Sequence, residues 1–319
     1  MRSRRSIVAV LALPSALLVL CALAACGDAV PGELRVGGAS GFVRCLRLDE
    51  PAEREWQVGA LSLAARERVL TIRGATSAPL LAAFAGPAPA SDDGATVLRA
   101  VKLRRPQLVL VLGGLGDDVA HATRTVGALA ATGVMTLFVA GGRDEPEVVA
   151  AAIAALDGDT RDRVLDITPF ARVVIGSVEL VPIAGAPGGR YARSRGACGH
   201  DASDLDARAV ALGPASERVR RVLVSWAAAS PAPGIERAEA GDPELARFAW
   251  RVGAEDALAA WPREQAGRTL PGGGLRQIVP VVGGQALLNA EGGRIRPGAS
   301  YFTLGQAGLS VAGDGASVR

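Results

Sequence analysis

Histidine is scarce in this chain, and the scarcity limits the metal chemistry that its side chains can support. The 319 residues contain two histidines, His121 and His200, and four cysteines. Hydrolytic sites that hold two metal ions are usually built from several imidazoles together with carboxylates. One such site would use both histidines at once, so we expect no binuclear centre of that kind.

Two glycine-rich segments are candidates for a ligand-binding loop. Gly113–Asp117 follows the apolar run Leu108–Leu112, and Gly141–Glu145 follows the apolar run Val134–Val139. Backbone N–H groups at the start of a helix attract anions, and arginine binds phosphate through two hydrogen bonds. The candidate anion-binding residues are therefore Gly113, Gly114, Gly141, Gly142 and Arg143. The alternative is that Arg143 pairs with Asp117 or Asp144 inside the protein.

Two further groups of residues could bind a single metal ion. His121 follows Asp117 by four residues on a predicted helix, where the two side chains would share a face. Cys198 and His200 form a Cys-x-His pair without a second pair of ligands. We expect a solvated helix position for the first histidine and no metal at the second pair.

Composition excludes several classes of protein. Hydrophobic residues make up 49% and charged residues 21% of the chain, which excludes general disorder. The first 25 residues carry three arginines and no acidic residue; without those arginines, 32 basic residues stand against 32 acidic ones. A formally neutral body argues against nucleic acid as a partner, because phosphate backbones are bound by an excess of positive charge.

The amino terminus is typical of an exported lipoprotein. Basic residues precede an apolar stretch that ends at Leu23-Ala24-Ala25-Cys26, which resembles a bacterial lipobox. We predict a signal peptide over residues 1–25, lipidation of Cys26, and a location at the cell envelope facing the periplasm or the exterior; the alternative is a transmembrane anchor. Residues 26–64 are predicted to be a tether and lead-in segment. Cys45 and Cys198 remain after processing, either as a disulfide or as buried thiols.

Apolar runs alternate with helical patterns, which predicts a layered α/β domain over residues 65–319. The predicted strands are Val69–Ile72, Leu108–Leu112, Val134–Val139, Val173–Ile183 and Val222–Ser225, and the predicted helices are Ala95–Leu103, Asp118–Ala131 and Glu145–Leu156. Gln277–Asn289 and Tyr301–Val311 alternate in polarity and predict antiparallel hairpins. Gly185–Ser203 is predicted to be a loop.

This succession resembles the calcineurin-like metallophosphoesterases. Members carry Leu-Gly-Asp-Leu after one strand, Pro-Gly-Asn-His-Asp after the next, then Ser-His, Gly-His-x-His and Asn-Pro-Gly-Ser. The corresponding segments here are Gly113–Asp117, Gly141–Glu147, Ser225-Trp226, Ala260–Arg263 and Arg296–Ser300, with the family's opening Asp-x-His at Gly74–Thr76. The resemblance implies a four-layer α-β-β-α sandwich with two facing mixed sheets.

The resemblance also implies that the metal site has been lost. The family's ligand and general-acid positions fall here on Gly74, Thr76, Gly114, Gly142, Arg143, Trp226, Trp261 and Arg263. Glycine offers no ligand atom, tryptophan offers only an N–H donor, and arginine brings a positive charge. The family uses two divalent metal ions, and we predict no cofactor for this chain.

The resulting hypothesis is a lipid-anchored, catalytically inactive phosphoesterase homologue that binds or scaffolds a partner at the cell envelope. Its partners would be the membrane, through the lipid on Cys26, and an unidentified protein or small molecule. One alternative is an active hydrolase with a site rebuilt around Asp117, Asp144 and His121. Another is a small-molecule-binding lipoprotein that shares only the α/β plan with the phosphoesterases.

Overall fold

Strands and helices alternate along the chain, as the apolar runs predict. The computed structural model describes residues 41–75, 80–84, 104–115, 118–188, 196–213, 219–227 and 241–260, a few single residues between these ranges, and the backbone of the strands that follow residue 269. The strands are β1 (Val43–Arg44), β2 (Arg54–Val58), β3 (Leu61–Arg66), β4 (Val69–Arg73), β5 (Leu80–Phe84), β6 (Leu108–Leu112), β7 (Met135–Val139), β8 (Val164–Asp166), β9 (Arg172–Ile175), β10 (Val178–Ile183), β11 (Ala186–Pro187), β12 (Cys198–His200), β13 (Arg220–Ser225), β14 (Ala254–Ala259), β15 (Leu270–Gly272), β16 (Leu275–Pro280), β17 (Leu287–Leu288), β18 (Arg294–Ile295), β19 (Ser300–Gly305) and β20 (Gly308–Val311). The helices are α1 (Val119–Ala130), α2 (Pro146–Ala154), α3 (Gly158–Arg161), α4 (Ala202–Leu212) and α5 (Pro243–Val252), and Cys45–Arg47 forms a 3-10 turn.

One of the two large sheets has six strands in the order β20-β19-β5-β6-β7-β8. Strands β5 to β8 run parallel, while β19 pairs antiparallel with both β5 and β20. Every residue of β6 and β7 is buried. A strand that is covered on both faces has no solvent side for polar residues, which explains the almost unbroken apolar sequences of these two strands.

The other large sheet has nine strands in the order β15-β16-β14-β13-β10-β9-β4-β3-β2. Its central strands β10, β13, β14 and β16 run parallel. Strand β9 is antiparallel to β10 and parallel to β4, so β4 runs in the opposite direction to β13. The carboxyl ends of β4 and β13 therefore point in opposite directions and lie on opposite sides of the sheet along its strand axis.

Four of the five described helices form two pairs, one associated with each large sheet. Helices α1 and α2 pack together and connect the strands of the six-stranded sheet, while α4 and α5 pack together and precede β13 and β14 of the nine-stranded sheet. Asp118, Asp201 and Asp242 cap the starts of α1, α4 and α5 by accepting backbone N–H groups. None of the helices in the described ranges is both long and apolar enough to cross a bilayer.

Buried side chains from both large sheets belong to one apolar core. Within it, the guanidinium of Arg221, 2% exposed, donates to Glu179 Oε2 over 2.8 Å and to the backbone oxygens of Gly213 and Val252 over 2.7 and 2.8 Å. These carbonyls lie at the ends of α4 and α5, where backbone acceptors lack helical partners. Arg221 therefore holds the ends of both helices against β13.

The mixed α/β class predicted from the sequence is confirmed, with three differences in detail. The predicted strand Val173–Ile183 is two antiparallel strands, because Gly176, at a φ of +61°, turns the chain back. The predicted loop Gly185–Ser203 contains β11 and β12, which form a small sheet with β1. Residues 41–64, predicted to be tether and lead-in, contribute β1, β2 and most of β3, because Leu61 and Leu63 alternate with exposed or half-buried positions along a sheet strand.

The carboxy-terminal strands pair as the alternating pattern predicts. Strands β15 and β16, β17 and β18, and β19 and β20 form antiparallel pairs. The predicted helix Ala95–Leu103 lies almost entirely outside the described residues, which include only its residue 101.

Candidate functional site

Loops from both large sheets meet at the carboxyl ends of β6, β7, β10 and β13. Gly113 N–H, after β6, donates to Val139 O of β7 over 2.8 Å, and Gly185 N–H, after β10, donates to Ala140 O over 2.8 Å. The side chain of Trp226, which follows β13, contacts Gly113 and Gly141. Ligands of α/β sheets bind at the carboxyl ends of the parallel strands, so this junction is the candidate functional site.

Asp144 joins the two glycine-rich loops by accepting hydrogen bonds from both of them. Its side chain is fully buried and accepts the N–H of Gly114 at 2.9 and 3.1 Å and the N–H of Gly141 at 2.6 Å. Since Gly113 N–H also donates within the protein, three of the N–H groups in the predicted anion site are already used. The protein's own acceptors therefore take up most of the predicted anion site, in which Gly142 is buried and Arg143 half-buried.

Trp226 fills the space beside the two glycines. A Cβ atom on Gly113 would lie 2.7 Å from Cδ1 of the indole, and a Cβ on Gly141 would lie 2.4 Å from the same atom. The ring is 9% exposed. Gly113 also has a φ of +67°, so both its backbone conformation and its contact with the ring favour glycine.

The donor set at this junction does not fit two divalent cations. Gly114 and Gly142 carry no ligand atom, and the indole of Trp226 has no lone pair to donate. The carboxylate of Asp144, which lies between the loops, is engaged by backbone N–H groups. Within the described ranges, no three histidine, cysteine, aspartate or glutamate side chains converge on a point that could hold a metal ion.

Asp166 adds an acid at the same edge, and the sequence analysis missed it. Asp166 is the last residue of β8, and its side chain accepts Thr168 N–H at 2.8 Å, while Thr168 Oγ accepts Ala140 N–H at 2.9 Å. Burial raises the pKa of Asp166 to about 6, and the negative charge of Asp144 acts in the same direction. Its position at the carboxyl end of a parallel strand was the available signal.

His200 and Asp242 form a second polar pair near the junction. His200 is 1% exposed, and its Nδ1 lies 2.8 Å from Ala184 O, so Nδ1 carries the proton that is donated. Its Nε2 lies 3.9 Å from Asp242 Oδ2. The pair links β12 to the start of α5, whose first turn Asp242 caps.

A disulfide ties the amino-terminal segment to the candidate site. Cys45 and Cys198 are bonded, with their Cα atoms 5.4 Å apart, and both are fully buried. Cys198 N–H donates to Asp144 O over 3.0 Å. The sequence left this pairing open; because Cys198 is in a disulfide, it supplies no thiolate to the Cys-x-His pair with His200.

The structure gathers some of the predicted site residues and separates others. Gly113, Gly114, Gly141 and Trp226 come together, but Gly74 lies against Ala60 at the opposite edge of the nine-stranded sheet. The strand whose carboxyl end lies beside that of β6 is β5, not β4. His121 lies half-buried on α1, where its backbone N–H donates to Asp118. Thr76, Asp117, Trp261, Arg263 and Cys26 lie outside the described residues.

Comparisons with known proteins identify similar folds. No protein-family model and no curated sequence matches this chain. TT1561 of Thermus thermophilus matches with a TM-score of 0.50 and 12% identity over 74% of this chain and 98% of the matched chain. A further solved structure matches with a TM-score of 0.50 and 11% identity over 73% of this chain and 99% of its own. At these identities the likeness shows the fold alone.

Proposed function

We propose that this chain is a lipid-anchored, catalytically inactive homologue of the calcineurin-like phosphoesterases that acts as a binding or scaffold protein at the cell envelope. The observation that carries the proposal is the contact of Trp226 with Gly113 and Gly141. At the positions where the resemblance expects metal ligands, an indole and bare backbone fill the junction. The carboxylate of Asp144 is used to hold the two loops together.

The arrangement of layers supports the phosphoesterase-like part of the proposal. Two large mixed sheets share one core, and a pair of helices accompanies each sheet. A four-layer α-β-β-α sandwich would be built from these parts. Catalytic loops in such a sandwich would lie where the carboxyl ends of β6, β7, β10 and β13 meet.

The disulfide supports export. Stable disulfides form in oxidising compartments and are rare in the cytosol, so the Cys45–Cys198 bond fits a chain that passes through a membrane behind a signal peptide. The lipobox-like sequence before Cys26 then supplies the anchor. A doubly or triply acylated cysteine would hold the protein stably on the bilayer.

Metal analysis combined with an activity assay tests the proposal. Purified protein is incubated with manganese, iron or zinc, dialysed, and assayed for bound metal and for hydrolysis of a chromogenic phosphodiester. We expect no stoichiometric metal and no turnover. Two bound equivalents of metal together with turnover would refute the inactive assignment. The lipid anchor is tested separately by metabolic labelling with a radioactive fatty acid, and Cys26→Ser is the control.

A metal-free hydrolase is the second candidate, and Asp166 is the observation that favours it. A carboxyl with a pKa of about 6 can donate a proton near neutral pH, as a general acid requires. If the protein hydrolyses the phosphodiester without metal, Asp166→Asn should abolish the activity while leaving the far-UV spectrum unchanged. Activity that survives this substitution would exclude Asp166 as the acid.

A further inference from the structure

The outer face of helix α4 is poor in charge for a solvent-facing surface. The exposed residues of α4 are Ala202, Ser203, Asp206, Ala207, Val210 and Ala211. Asp206, the charged member of that set, is ion-paired with Arg251 of α5. Solvent-facing helices normally carry a polar stripe, so this apolar composition indicates a surface that contacts a membrane or another protein.

Two large side chains stand out from this face. Trp250 of α5 is 74% exposed, and Val210 of α4 is 77% exposed. Two arginines flank Trp250 in the sequence: Arg247 is ion-paired with Glu244, and Arg251 is ion-paired with Asp206. Tryptophan flanked by basic residues is typical of segments that lie in the interface between lipid headgroups and acyl chains.

The amino-terminal segment joins the body of the protein along this same helix. Arg44 contacts Asp201 at 2.7 Å and Asp204 at 2.8 Å, at the start of α4. One turn later, the guanidinium of Arg208 donates to Leu46 O over 3.3 Å. The chain that arrives from Cys26 is therefore fastened to α4 before it enters the rest of the fold.

The connecting chain is long enough for this face to reach the membrane. Fifteen residue steps separate Cys26 from Gly41, which allows a maximum reach of about 50 Å for a fully extended chain. Helix α4, with 11 residues, is about 16 Å long. Because the chain enters the fold at the start of α4, a lipid anchor at Cys26 allows the outer face of α4 and α5 to reach the bilayer.

We propose that the outer face of α4–α5 lies on the surface of the membrane that carries the Cys26 lipid, with Trp250 in the headgroup region. The inference rests on the lipid anchor of the proposed function and adds an orientation to it. Trp250 and Val210 enter the interface, and the ion pairs Arg247–Glu244 and Arg251–Asp206 lie at the level of the polar headgroups. The disulfide and the ion pairs of Arg44 keep the tether on this side of the molecule.

Fluorescence quenching on the full lipidated protein tests the orientation. The exposed Ala207 is replaced by cysteine and labelled with a fluorophore, and the protein is reconstituted into vesicles of phosphatidylethanolamine and phosphatidylglycerol. We expect a nitroxide on the lipid to quench the label and aqueous iodide to reach it poorly. Adding Trp250→Ser should reverse both effects. A label at Gln57→Cys, on the exposed edge strand β2, should behave as an aqueous label in both backgrounds.

The outcomes separate failure of the orientation from failure of the anchor. If the protein does not float with the vesicles in a density gradient, the lipid anchor is refuted. If it floats but iodide reaches position 207 freely, the docking proposal is refuted. If position 207 is shielded from iodide without lipid quenching, and the shielding rises with the number of protein molecules per vesicle, a second copy covers the face and the membrane proposal is likewise refuted.

Discussion

Replacing Gly141 with alanine tests whether Trp226 is what fills the candidate site. The new Cβ would lie 2.4 Å from Cδ1, 2.8 Å from Cγ and 2.9 Å from Nε1 of the indole. Carbon atoms in contact are normally about 3.5–4.0 Å apart, so the ring would have to move by about 1 Å. The φ of Gly141 is outside the left-handed region, so alanine is not penalised by the backbone there. Overpacking of this kind costs about 1–3 kcal/mol.

The same substitution should be nearly neutral when the ring is removed. Trp226→Leu alone leaves a cavity and is expected to cost about 2–4 kcal/mol of unfolding free energy. In that background Gly141→Ala should cost less than about 0.5 kcal/mol, which gives a coupling energy of about 0.5–3 kcal/mol. Urea denaturation of the four proteins, followed by far-UV circular dichroism, measures each term. Gly127→Ala on α1, whose Cβ would lie 4.0 Å from Leu156, is the matched control and should not destabilise either background.

Additive effects would contradict this reasoning. If Gly141→Ala costs the same with and without the indole, then the ring is not the obstacle at Gly141. The junction would then have free space beside the glycines, and the argument that Trp226 replaces a metal site would lose its main support.

Three further predictions concern the disulfide, the acid of β8 and the buried guanidinium. Removing the bond between Cys45 and Cys198, which are 153 residues apart, should lower the free energy of unfolding by about 5 kcal/mol on the chain-entropy model. A reductant should lower the urea midpoint of the native protein, and it should not lower that of the chain in which both cysteines are replaced by serine. The pKa of Asp166 is about 6 in the folded protein and 3.8 ordinarily. The stability that protonated Asp166 contributes is therefore fully present below pH 3.8 and is lost as the pH rises through about 6. Asp166→Asn should remove that slope from urea midpoints measured against pH, and an unchanged slope would assign it to another group. Arg221→Lys should lower the free energy of unfolding by about 2–4 kcal/mol, because lysine cannot reproduce the several hydrogen bonds of the guanidinium. The control Arg247→Lys, at an exposed position, should change stability by less than about 0.5 kcal/mol. Equal effects would show that the buried contacts of Arg221 do not matter.

The sequence predicts the buried parallel strands well and the antiparallel parts less well. The predicted strand Leu108–Leu112 coincides with β6, and the predicted helix Asp118–Ala131 exceeds α1 by one residue at each end. Both have strong local signals, namely a continuous apolar run and a capping aspartate. The predicted strand Val173–Ile183 was wrong in one respect, because an apolar run does not reveal that Gly176 reverses the chain.

The candidate site is only partly predictable, because its contacts join residues that are far apart in the chain. Glycine at positions 113 and 141 indicated sharp turns, but nothing local indicates that Asp144 accepts N–H groups from both loops. The same holds for the position of Gly74. Its neighbours were predicted as the first strand of the series, whereas the direction of β4 in the sheet places it at the far edge.

The path of the chain through the two large sheets has a consequence for how the molecule can be assembled or divided. After β1 the chain enters the nine-stranded sheet at β2, crosses to the six-stranded sheet at β5, returns at β9 and crosses again before β19. Neither sheet is therefore encoded by one continuous stretch, so no single cut places the two sheets in separate fragments. We expect folding to be slow and all-or-none, since β5 pairs with the distant strand β19 and β4 pairs with β9.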